Sequence, residues 1–312
     1  MIASLVSIAI AAPAYLDDST KDRGYVVAKF SNAYGSVNVY LPNDISPGDA
    51  ITGSVFVDSD SKQMEGVEAY LNDVPGVRLN RAGVWRKWIV PTTAKNGYPL
   101  VVRTKDGRQI GAMRIPISPD PGGLDAYTFP SFMQIGRPAV VWGPFGGDPT
   151  KTQLRNGDTS FSILAESMRS AVFYVPYDTK PGSVAMSLRQ GEATMKAEPR
   201  AISVDLSSDK ANLKEGEKTT VTVKVSGLKG LTEATLPFLR VENLTPGTLD
   251  MGGKEARTII PKVSEDGTYR ESFVATSMKA GGFLLTTYVE PGPGIVVVPP
   301  GAFSLFFGQG PI

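Results

Sequence analysis

The chain of 312 residues contains no cysteine and no histidine. The first absence removes disulfides, thiolate nucleophiles, zinc–thiolate sites and iron–sulfur clusters. The second removes Ser-His-Asp and Cys-His catalysis and nearly every transition-metal centre. Charge is sparse as well, at 20% of residues where about 25% is usual. With 32 Lys and Arg against 31 Asp and Glu, the net charge is +1. So even a balance lacks the basic field that nucleic-acid binders rely on, and no nucleic-acid partner is expected. What survives is carboxylate chemistry, lysine chemistry, hard cations such as Ca²⁺, or no chemistry at all.

What the chain has in quantity is glycine (33) and proline (24), together with β-branched residues in short runs. Its two ends are apolar. Residues 1–23 open with MIASLVSIAIAAPAYL, shorter than the ~20 residues a spanning helix needs. Ala9-Ile10-Ala11 and Ala12-Pro13-Ala14 fit the small-x-small pattern of signal peptidase, although a basic leader region is missing. A signal peptide and a retained apolar strand are the two readings. At the other end, residues 292–312 carry Ile295, Val296, Val297 and Val298, then Phe303, Leu305, Phe306 and Phe307. Pro299-Pro300-Gly301 between the two groups forbids one continuous helix and leaves two β-capable pieces. No transmembrane helix is therefore expected in the mature chain. These residues are candidate assembly strands, able to fold back on the block before them or to enter a neighbouring subunit.

Between the ends, helical periodicity is nearly absent. Short alternating runs separated by Gly, Pro, Asn and Asp predict an all-β protein of three tandem immunoglobulin-like sandwiches. The first block spans 24–118, with strands expected at 25–31, 36–41, 50–57, 66–71, 84–90, 100–104 and 109–117. The second spans 119–198 and the third 199–291. In the third, Thr219-Thr220-Val221-Thr222-Val223-Lys224-Val225 alternates strictly, the mark of a strand with one wet and one buried face. The Pro/Gly-rich stretch at 118–123 is expected to be the most flexible joint.

In the second block, from about residue 124 to 198, the order of turns carries a family resemblance. Gly143-Pro144-Phe145 leads, followed by a run to Asn156-Gly157, then Val175-Pro176, Pro181-Gly182 and a closing strand at 183–189. This order looks like the IPT/TIG domain, an immunoglobulin-like module of cell-surface receptors, bacterial surface proteins and accessory parts of polysaccharide-active enzymes. The resemblance implies a sandwich and a non-catalytic role, and it brings no catalytic residues with it. A Gly-Gly-Thr lead-in is missing. The third block is similar in pattern to bacterial immunoglobulin-like repeats.

Three constellations bear on chemistry. Trp85-Arg86-Lys87-Trp88 places aromatics beside cations; on a strand the two indoles face opposite sides. One can then stack on a sugar or clasp a partner, with Tyr70 or Tyr98 extending the platform; the alternative is core tryptophan plus edge-strand charge. Asp58 and Asp60 are weak candidate ligands for Ca²⁺, or else solvated turn acids. Ser207 and Lys210 have the Ser-x-x-Lys spacing of penicillin-recognising enzymes but no helix to carry it. The chain thus reads as a non-enzymatic extracellular or cell-surface protein of a prokaryotic envelope. It is expected to assemble with itself or other surface proteins into a fibre, sheath or surface layer. A carbohydrate-binding or adhesive module, with polysaccharide as partner, and an accessory part of a polysaccharide-active enzyme are the alternatives.

Overall fold

A computed structural model describes residues 12–17, 23–79, 84–119, 122–262, 264–290 and 294–297. Among them the protein is all-β, with only three-residue 3₁₀ turns besides strands. No helix of the described residues is long and apolar enough to cross a membrane. The alternating run of the third block forms strand Lys218–Ser226 with Thr219, Val221, Val223 and Val225 buried. Turn residues fall between strands where the sequence places them, so the strands expected in the first block form with ends shifted by a few residues.

Buried apolar side chains gather into three cores in chain order. The first runs from Val26 to Ile117, the second from Tyr127 to Ala201, and the third from Ile202 to Val289. Each core is closed between sheets of mainly antiparallel strands, the arrangement of a β-sandwich. A fourth cluster of Tyr25, Val27, Val140, Leu164, Ala165 and Val172 fills the seam between the first and second cores.

That seam overturns the flexible first joint. One 11-stranded sheet runs through both blocks. Its path is Ala12–Asp17, Tyr25–Asn32, Gly35–Pro42, Ala50–Asp58, Ile163–Glu166, Ser170–Tyr174, Pro138–Trp142, Tyr127–Phe129 and Ile295–Val297. The crossing point is the pair Glu166–Thr52. Around it Thr52 Oγ1 donates to Gly147 O at 2.8 Å, and Ser54 Oγ donates to Leu164 O. Arg169, buried in the seam, lies between Asp44 and Asp49: Nη2 is 2.5 Å from Asp49 Oδ2, and Nε is 3.6 Å from Asp44 Oδ2. Ser167 donates to the same Asp44 Oδ2 at 2.7 Å, and Ser170 donates to Oδ1 at 2.9 Å. A linker composition matters little once the domains it joins share a sheet and a buried ion cluster.

The second joint is a strand as well. Arg200–Ser208 pairs with Phe132–Gln134 of the second block through its first three residues and with Lys218–Ser226 of the third through the rest. The C-terminal assembly residues also differ from expectation. Ile295, Val296 and Val297 form a strand antiparallel to Tyr127–Phe129, so they complete the second sandwich instead of folding onto the third. Ile295 and Val297 pack on the second core while Val296 faces out. Val298, Phe303, Leu305, Phe306 and Phe307 lie outside the described residues, as do the first eleven residues of the N-terminal segment.

Candidate functional site

The Trp85–Trp88 run does not build the exposed clasp. Strand Trp85–Ile89 is paired on both sides, by Ala50–Asp58 and Val77–Arg78, so it is no edge. Trp88 is buried in the first core. Arg86 shares its face, equally buried, and its Nε meets Glu68 Oε2 at 2.7 Å. Trp85 and Lys87 face the other way and are half-buried. The Trp85 indole N–H donates to Ile163 O of the second block at 2.9 Å, so this tryptophan holds the seam. Tyr70 and Tyr98 are half-buried on neighbouring strands, Tyr70 beneath the Arg103 guanidinium at 4.8 Å. Asp58 and Asp60 are exposed, and among the described residues no three acidic side chains converge as a metal site would need. Lys210 is tied to Glu217 at 2.6 Å, while Ser207 lies within strand Arg200–Ser208, so the Ser-x-x-Lys spacing has no helix and no paired geometry.

The concave site that does form lies where the three blocks meet. It is a cleft of about 280 Å³ whose polar and aromatic lining includes Arg23, Tyr25, Gln134, Arg137, Trp142 and Tyr288. The side chains come from several elements. Arg23 and Tyr25 stand at the entry to strand Tyr25–Asn32, Trp142 ends strand Pro138–Trp142, and Tyr288 belongs to strand Leu285–Val289. Between Arg23 and Tyr25 the chain passes Gly24 at φ +84°, where an added Cβ would stand 2.7 Å from the Trp142 ring. Only glycine takes that backbone conformation at no steric cost and lets the ring lie so close.

The polar groups are held from behind. Gln134 is buried; its Oε1 accepts from the Val289 N–H at 2.9 Å, and its Nε2 donates to Thr287 Oγ1 at 3.1 Å. Arg137 Nη2 donates to Thr286 Oγ1 at 2.6 Å. Arg23 Nη2 donates to Glu290 Oε1 at 3.2 Å, and its guanidinium carbon sits 3.6 Å from the centre of the Tyr288 ring. The Arg137 guanidinium approaches the same ring at 5.6 Å. Burial, reinforced by Tyr288 and opposed by Arg23 and Arg137, pushes the Tyr25 phenol above its ordinary value, so it remains a neutral hydroxyl.

Among the described residues no carboxylate lines the cleft. The arrangement offers aromatic walls, fixed guanidinium groups and a hydroxyl, which can bind and orient a ligand. Sequence reading missed this site because its residues lie at positions 23–25, 134–142 and 288 and share no local motif. Trp142, beside the Gly143-Pro144-Phe145 turn, is half-buried at the cleft.

No protein-family model matches the chain, and no curated protein matches its sequence. Among solved structures it is similar to the SGBP-B of a Bacteroides ovatus mixed-linkage glucan utilization locus, in complex with a mixed-linkage heptasaccharide. That likeness has 14% identity over 85% of this chain and 80% of the other, with a TM-score of 0.29. SGBP-B from a xyloglucan utilization locus of Bacteroides uniformis is similar at 10% identity, 86% and 95% coverage, and a TM-score of 0.23. The Escherichia coli adhesin FdeC follows at 13% identity, 93% and 99% coverage, and a TM-score of 0.20. Scores of this size lend no support to a shared ligand.

Proposed function

We propose that this chain is a non-catalytic binding protein, secreted or displayed at a cell surface, and that its three-block cleft receives one ring of a saccharide. The observation that carries this reading is the meeting of an indole, two phenols and two guanidinium groups in one concave site without a lining carboxylate. A pyranose ring has an apolar C–H face and a rim of hydroxyls. The first lies against tryptophan or tyrosine, and the second is met by fixed donors. The volume, about 280 Å³, is near the lower end of the roughly 300–1,000 Å³ of ligand pockets, so it suits a single ring and not a buried chain. A glycan array read on the full chain, followed by titration with intrinsic tryptophan fluorescence, tests the reading. Trp142→Ala is expected to lose about two- to tenfold in affinity while the fold persists, since an aromatic contact contributes about 0.5–1.5 kcal/mol beyond its buried area. No saccharide bound by the unmodified chain sinks the reading.

One observation favours assembly as a second role. The strands nearest the two chain ends, Ala12–Asp17 and Ile295–Val297, are the outermost strands of the same sheet path. Strand addition at these edges would join copies head to tail, a heterologous contact that leaves a polymer open-ended. Sedimentation velocity over a rising concentration series checks it, and a chain that stays monomeric throughout discards it.

A further inference from the structure

We infer that the ring taken by the cleft is an acidic one, a uronate whose carboxylate pairs with Arg137. This rests on the saccharide reading above and narrows it. Among the described residues two arginines line the cleft and no acidic residue does. Arg23 has its counter-charge in Glu290 at 3.2 Å. Arg137 forms no ion pair among the described residues; its protein contacts are the Thr286 hydroxyl on Nη2 and the face of Tyr288. Its Nε and Nη1 therefore make no hydrogen bond to the described protein, and it is half-buried beside Met133, Pro138 and Val140. A charge partly withdrawn from water against apolar walls is costly unless an opposite charge meets it.

The geometry selects a planar anion. Thr286 fixes one amino group and the guanidinium carbon stands 5.6 Å from the centre of the Tyr288 ring, so the side chain is held in place before a ligand arrives. A guanidinium held this way presents parallel N–H donors to a carboxylate, which a lysine could not reproduce. The Tyr25 phenol, kept neutral by burial, adds a hydroxyl for the ring, and Trp142 supplies the apolar wall. A carboxylate without a sugar would use the first of these features and leave the others idle.

The decisive comparison needs no variant. Titration calorimetry on the full chain sets a glucuronate- or galacturonate-bearing oligosaccharide against its methyl ester, with sodium acetate as the bare carboxylate. The acid form is expected to bind at least about tenfold more tightly than the ester, with affinity falling as salt rises. Acetate is expected not to bind measurably. Arg137→Gln should weaken the acid form far more than the ester and so bring the two to equal affinity, and Arg137→Lys should recover only part of the difference; melting curves confirm that both variants fold. Equal affinity for acid and ester in the unmodified chain overturns the inference and leaves the saccharide reading standing. Acetate binding as tightly as the uronate overturns it too, as a carboxylate site without sugar recognition. If neither sugar binds, the inference falls, and the glycan array alone decides the saccharide reading.

Discussion

Glu166 is a carboxylate that the fold carries far from its ordinary acid–base behaviour. It has no exposed surface, and burial pushes its carboxyl from 4.5 to about 7, against the opposing hydrogen bonds from Thr152 and from backbone N–H groups. Those bonds are the Thr152 hydroxyl on Oε2 at 2.7 Å and the Asp148 N–H on Oε1 at 2.9 Å. The folded protein thus keeps a proton that the unfolded chain releases near 4.5. Stability from this group is full below that pH, falls as pH rises, and levels off above about 7. Asp44, raised chiefly by burial against the hydrogen bonds of Ser167 and Ser170, acts in the same direction. Urea unfolding at pH 5 and pH 8 is expected to show a loss on the order of 3 kcal/mol toward the higher pH, and Glu166→Gln should flatten most of it. A chain equally stable at both values contradicts the assignment. Arg169 gives the complementary prediction. Arg169→Met leaves Asp44 and Asp49 facing each other in the seam without their counter-charge, and it should cost about 3–5 kcal/mol by the same measurement.

At the scale of elements, the period-2 alternation of Lys218–Ser226 needed no partner to be read, because burial of every second residue is a property of one strand. Strand Trp85–Ile89 was legible as a strand but not as an interior one, and its pairing on both sides is what turns Arg86 and Trp88 inward. The strand Ile295–Val297 shows the same division: it is apolar and β-branched in sequence, but its partner lies 166 to 170 residues earlier in the chain, through the pairs Tyr127–Val297, Thr128–Val296 and Phe129–Ile295. Ending the chain after Glu290 should uncover the Tyr127–Phe129 edge and weaken the second sandwich by roughly 2 kcal/mol, the share of two half-buried aliphatic side chains. Hydrogen exchange checks this. Amides of Tyr127–Phe129 and Pro138–Trp142 should exchange faster, while those of Lys218–Ser226 keep their protection. Equal loss of protection in the third block would show that the strand supports it instead.

For the whole molecule, the shared sheet and the Asp44–Arg169–Asp49 cluster couple the first two blocks as one unit. Scanning calorimetry of the full chain is expected to show them melting in a single transition, with the third block in that transition or in one of its own. Separate melting of the first and second blocks would contradict a common sheet. What the sequence by itself determined is local. Missing cysteine and histidine excluded whole classes of chemistry; glycine and proline placed the turns; alternation marked the strands and the all-β class. The tertiary structure decided what depends on distant partners: which strand is interior, which sandwich the C-terminal strand completes, how the first joint is locked, and where a ligand can enter. The reason is that a strand writes its own period into its residues, whereas its neighbours are chosen by ladder pairing and burial across the chain. Arg23, Arg137 and Tyr288 become one site only after three sandwiches have docked.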